Sequence, residues 1–171
     1  RNAGDGTNDG ILQNASGPSR FWGAESFAIW HFPGGNLIGT YGVTYATRSD
    51  PETGPRVDTP LIPRQRAGLD LMLEKAGSYL VGLEGFWYGE QVLEGDPYRT
   101  HSKPYIHGGF IAMKRIGAWE GVFNIENLFD VRQTDHEPLL RTTPSTGGTW
   151  TVDSWAPLDG IWGNVAIRYR W

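Results

Sequence analysis

Along most of the chain, apolar and polar side chains alternate one by one. From Ala67 the apolar set is Ala67, Leu69, Leu71 and Leu73, set against Arg66, Asp70, Met72 and Glu74. From Tyr79 it is Tyr79, Val81, Leu83 and Trp87, with Glu84, Tyr88 and Glu90 opposite. Trp119, Phe123 and Ile125 oppose Glu120, Asn124 and Glu126, and Leu37, Tyr41, Val43 and Tyr45 oppose Thr40 and Thr44. The chain closes on VAIRYRW (165–171), where Val165, Ile167, Tyr169 and Trp171 alternate with Ala166, Arg168 and Arg170. Successive side chains of a strand point to opposite faces, so a period of two predicts β-strands. Seven are predicted, over 11–32, 36–48, 64–75, 78–92, 104–115, 119–131 and 158–171. The first is expected to break near Gly17-Pro18, because proline donates nothing to a ladder. Faces cannot be assigned by parity in 20–32, where Phe27 and Ile29 share a parity with Glu25, or in 104–115, where both parities are mixed. No segment has sustained helical periodicity.

The connections carry a second pattern. PGGN (33–36), KAGS (75–78) and RIGAW (115–119) are short turns built on glycine. Between them fall long polar links over 49–63, 94–103 and 133–157. Short and long alternate strictly. An up-and-down meander then has every tight turn at one end and every long loop at the other. Transmembrane barrels sort their connections this way, with short periplasmic turns and longer outer loops. The expectation is an all-β, antiparallel up-and-down transmembrane barrel segment in the bacterial outer membrane. Its apolar face would meet the lipid bilayer and its charged face the lumen. Trp171 would sit in an aromatic girdle at the periplasmic interface.

Composition changes this picture little. The chain has 171 residues, a net charge of −4 and no basic run, which argues against a nucleic-acid partner. It has no cysteine, which removes disulfides and thiolate metal sites. No stretch reaches the roughly 18 apolar residues of a membrane helix, but a membrane strand needs only about 9–11 residues, half of them apolar. The first residue is Arg and RNAGDGTNDG is polar, so no secretory signal is read there and the chain is expected to be mature or a piece of something longer.

Four stretches then carry a family resemblance. VFNIENLFDVRQT (122–134) resembles the Asn-Leu-Phe-Asp segment near the end of TonB-dependent outer-membrane receptors, matched by Asn127, Leu128, Phe129 and Asp130. NASGPSRFWGAES (14–26) resembles that family's Asn…Gly-x-Glu strand through Asn14, Gly23 and Glu25. TPLIPRQRAGLDL (59–71) resembles its proline-containing loop through Pro60 and Pro63, and IRYRW (167–171) its aromatic-ended last strand. Val131 stands where a basic residue is usual, and Gln133 where an aromatic is common. The resemblance implies a barrel of about 22 strands around a plug. Against that, residues 1–171 read as one C-terminal barrel region, with no plug and no TonB-contacting segment among them. The implied function is uptake of a scarce nutrient, a ferric siderophore or other metal chelate. The implied partners are the remaining strands and plug of the same receptor and a TonB-type energy-transducing protein.

Candidate ligand contacts are sought in the outer loops, where long aromatic-bearing segments sit on a rigid scaffold. Loop 133–157 offers Arg141, Trp150, Asp153 and Trp155 as cation, anion and stacking surfaces. His101 and His136 join them, the latter flanked by Asp135 and Glu137, but no His-x-His spacing supports a metal site. DGTNDG (5–10) lacks the closing glutamate of a calcium loop and reads as an exposed turn. No cofactor is implied. No nucleophile elbow, zinc motif or phosphate loop is present, so the chain is not read as an enzyme. Glu84 and Glu120 could imitate a glycosidase pair, but charged lumen faces produce such pairs routinely. Two alternatives remain. One is a small complete structural or adhesive barrel. The other is a soluble carbohydrate-binding sandwich using Trp150 and Trp155, with Leu69, Leu71, Val81 and Leu83 buried against a second sheet.

Overall fold

Glycine at positive φ lets the chain reverse within two or three residues, as at Gly77 (φ 72°) and Gly117 (φ 59°). In the computed structural model, which describes residues 17–49, 54–145 and 147–171, such turns and the longer loops between them link eight strands. They are β1 (Arg20–Phe32), β2 (Gly35–Ser49), β3 (Arg56–Asp58), β4 (Gln65–Lys75), β5 (Tyr79–Tyr88), β6 (Tyr105–Ile116), β7 (Trp119–Glu126) and β8 (Trp162–Tyr169). All pairing is antiparallel, in the order β1-β2-β4-β5-β6-β7-β8, with β3 flanking the end of β2. The sheet is open. Among the described residues β1 and β8 are its two edges and do not pair, so the closure that a small complete barrel requires is not formed here.

The register resolves the faces that parity alone left undecided. One row runs Trp30, Leu37, Leu71, Leu83, Phe110, Ile125, Gly163 across every long strand. A neighbouring row runs Leu73, Val81, Ala112, Phe123, Val165. The apolar face of β1 therefore carries Trp22, Ala24, Ser26, Ala28 and Trp30, while Phe21, Glu25, Phe27 and Ile29 lie on the mixed face. In β6 the apolar face takes Ile106, Phe110 and Ala112, and His107, Ile111 and Met113 face the other way. The mixed face carries the row Ile38, Asp70, Glu84, Gly109, Glu126.

No second layer covers the apolar face among the described residues. Leu83 is 50% exposed and Ile167 73% exposed. The buried hydrophobic residues are Leu93, Val152, Trp155 and Ala156, all in loops and none in a strand. Among the described residues no sandwich core forms over Leu69 and Leu83, which are 56% and 50% exposed. Aromatic pairs mark both ends of the apolar face. Trp22 stacks on Tyr45 at 4.5 Å toward the long loops, and Trp119 meets Tyr169 at 4.8 Å beside the short turns.

Several boundaries differ from the expected ones, for local reasons. The first strand starts at Arg20, past Pro18; residues 11–16 of the expected strand, the Asn14 match and the 5–10 turn lie outside the described residues. The expected loop 49–63 contains β3. The strand expected to 92 stops at Tyr88, and Val92 pairs instead with His101 in a bridge within the next loop. The strand expected to 131 stops at Glu126, because Asn127 (φ 52°) and Asp130 (φ 51°) turn left-handed. The last strand begins at Trp162 rather than 158 and ends at Tyr169.

Candidate functional site: the outer loop pair

The longest connection, 127–161, starts from a clamp. The Asn127 side-chain amide donates to the Val131 carbonyl (2.8 Å) and the Asp159 carbonyl (3.0 Å), and its Oδ1 accepts from the Val131 N–H (3.0 Å). Asn127 is buried, and asparagine tolerates the left-handed backbone found there. Leu128 donates its N–H to the Gly108 carbonyl at 2.9 Å. The Phe129 ring then lies over Gly108, where a side chain would collide with it. Asp130 accepts from the Ile161 N–H at 2.8 Å and from the Arg132 guanidinium at 2.8 Å. The Asn-Leu-Phe-Asp segment is thus a structural tie between the two ends of the loop.

The Asp130 carboxyl is held below its ordinary value of 3.8, first by the Ile161 N–H and then by Arg132. A folded value below the unfolded one stabilises fully above pH 3.8 and fades as pH falls through the lower folded value. Pepsin nicking within 131–160 is therefore expected to stay low at about pH 4 and to rise toward about pH 2. In Asp130→Asn it should already be raised at about pH 4.

Beyond the clamp, the loop packs on Gln133, which is 0% exposed. Its Nε2 donates to Glu137 (2.9 Å) and to the Asp153 carbonyl (2.9 Å), and its Oε1 accepts from the Trp155 N–H (2.9 Å). The Trp155 indole donates to Glu137 at 2.6 Å. Loop 89–104 joins through Arg99, whose guanidinium forms an ion pair with Glu137 at 2.5 Å and donates to the His136 carbonyl at 2.6 Å. Gln91 donates to the Trp155 carbonyl at 3.1 Å. Leu93, Trp155 and Ala156, with Tyr105 packed against them, form a small apolar core under this network.

This arrangement divides the predicted contacts. Trp155 is 3% exposed and stacks against His136 at 5.8 Å, so its ring belongs to the loop core. Arg141 and Trp150 come together on an outer hairpin, where the Arg141 N–H donates to the Trp150 carbonyl (2.9 Å) and Leu140 pairs with Thr151. The Trp150 ring is exposed and Arg141 Nε donates to the Thr151 carbonyl. Asp153 is exposed and lends only its carbonyl to Gln133. His101 lies apart, at a half-open cavity of about 460 Å³ that Asp58, Arg64, Trp87 and Glu90 also line. Among the described residues no three His, Cys, Asp or Glu side chains converge on one point. The sequence pattern does not mark Gln133, Arg99 or Gln91 as site residues, and it brings in Glu137 only as a flank of His136. The opposite charges of Arg99 and Glu137 in successive long loops were the only trace of their pairing.

No protein-family model matches the chain, and no curated protein matches it. Among solved structures it is similar to the ferric-catecholate import receptor Fiu from E. coli in its closed form, with a TM-score of 0.60 and 17% identity. The match covers 92% of this chain and 23% of that one. The fold is a barrel segment. This chain spans less than a quarter of the receptor's length, and its seven long strands follow one another around the sheet as an arc.

Proposed function

We propose that these residues form the C-terminal arc of the barrel of an outer-membrane, TonB-dependent receptor. The receptor would import a scarce nutrient of the metal-chelate class, to which the ferric-catecholate role of the similar structure belongs. The observation that carries this reading is the uninterrupted apolar row from Trp30 to Ile125, exposed at Trp30 and Leu83 and half-buried elsewhere, on a single sheet with no buried hydrophobic strand residue among those described. A large exposed apolar surface marks a membrane or partner contact, and an open edge in hydrocarbon must be paired. The remaining strands and the plug would come from outside these residues, and the TonB-type partner would act through the plug. The half-buried Arg141 and the exposed Trp150 and Asp153, at the long-loop end, would meet the chelate. His101 would contact it from the lateral cavity, and His136 and Trp155 would brace the loop.

The test compares the two faces of β5 in the full-length protein. Leu83→Arg puts a cation at mid-strand on the apolar face and should cost about 2–4 kcal/mol, seen as loss of heat-modifiable, folded migration. Glu84→Arg, one residue on, relieves its like-charge facing with Asp70 and should assemble normally. Equal tolerance of both would sink the membrane reading.

A further inference from the structure

At the short-turn end of the mixed face, one row joins Arg115, Glu120 and Arg168 across three strands. Glu120 is 4% exposed. Its Oε2 accepts from Arg115 (2.7 Å) and Arg170 (3.1 Å), and its Oε1 from Arg168 (3.1 Å). Both oxygens of the carboxylate are therefore engaged by three guanidiniums, which leaves a surplus of two positive charges. Arg168 and Arg170 have side chains 69% and 52% exposed, and each spends one of its several N–H donors on Glu120. The next inward row, about 7 Å further along the strands, is apolar beside the cluster, with Leu80, Met113, Val122 and Ala166, and reaches Glu74 only on β4.

We propose that this cluster seats an aspartate or glutamate side chain of a polypeptide segment lying on the mixed face. The inference rests on the barrel reading above and adds the chemistry of what fills the lumen at this end. Charge complementarity calls for an anion, and planar guanidinium forks match a carboxylate. The cluster lies on the face opposite the lipid-like surface, so a lipid headgroup does not reach it. The adjoining apolar row favours a segment that brings an apolar side chain beside its acid, which a free inorganic anion cannot do.

The experiment uses the full-length protein in outer membranes, with photoreactive p-benzoylphenylalanine placed at Val122. Irradiation should attach a polypeptide segment that carries Asp or Glu within about three residues of the linked position, roughly one strand step of the seat. Arg170→Gln should lower the yield about tenfold, Arg170→Lys much less, and Arg168→Gln should repeat the loss. Heat-modifiable migration of the same samples reports assembly independently. A linked segment without an acid, or a yield unchanged by both Gln variants in an assembled barrel, overturns the inference and leaves the barrel reading standing. The same holds if no polypeptide is linked while inorganic phosphate protects Arg168 and Arg170 from phenylglyoxal. Failure of the unsubstituted protein to migrate as a folded barrel overturns both.

Discussion

Asn127→Ala is expected to detach the outer loop from the sheet and to cost about 4 kcal/mol of local stability. Three hydrogen bonds are lost at roughly 1 kcal/mol each, with the half-buried Val131 N–H left facing an apolar methyl. Alanine must also hold φ near +52°, a strain of about 1–2 kcal/mol that asparagine tolerates better. Asn127→Gly separates the two causes, because glycine adopts that backbone freely and loses only the bonds. It should cost about 3 kcal/mol. Asn127→Asp keeps the acceptor for Val131 but turns a carboxylate oxygen toward the Val131 and Asp159 carbonyls, so it should be no better than glycine. Amide exchange at Val131 and Ile161 in the full-length protein reads all three. If glycine matches the parent, the side-chain bonds are not what ties the loop down.

The ease with which the fold could be read from the sequence varied strand by strand. In β4 and β5 the apolar face is almost pure, Leu69-Leu71-Leu73 and Val81-Leu83, and a period of two assigns it unaided. In β1 and β6 it does not, because the mixed face also bears large apolar side chains such as Phe27, Ile29 and Ile111. The apolar face in turn tolerates Ser26 and Lys114, the latter set over the Tyr79 ring at the short-turn end. Only the pairing of Ile29 with Ile38 and of Ile111 with Asn124 settles those parities. Such a face, half apolar and half charged, is better suited to protein than to a column of water. The Asn-Leu-Phe-Asp segment was legible as a resemblance, but its mechanics were not. Two left-handed residues that end a strand leave no mark in a hydropathy pattern. The loop core was the least legible part. Gln133 reaches Trp155 across 22 positions and Arg99 reaches Glu137 across a strand pair, contacts that follow from no local period. Trp155 looked like a binding residue because an aromatic in a long loop is one by default, and burial is a tertiary property.

That core supplies the second large effect. Arg99→Ala should cost about 3–5 kcal/mol of the association between loops 89–104 and 127–161, because it strands a buried carboxylate. The Glu137 side chain is 1% exposed, so water cannot replace the lost guanidinium without opening the core. Glu137→Gln should be milder, at about 1–2 kcal/mol. An amide oxygen still accepts from Trp155 and Gln133, and Arg99, less deeply buried, keeps the His136 carbonyl and its place 5.7 Å over the Trp155 ring. The combination Arg99→Met with Glu137→Gln removes both charges and retains an aliphatic stem against the indole. It should recover most of what Arg99→Ala loses, a strongly non-additive result as neighbours in one network require. The readout is exchange at the Trp155 and Leu93 amides, which donate to Gln133 and to the Thr100 carbonyl in the closed loop pair. If the double variant opens as readily as Arg99→Ala, the penalty lies in lost arginine packing and not in the unpaired charge.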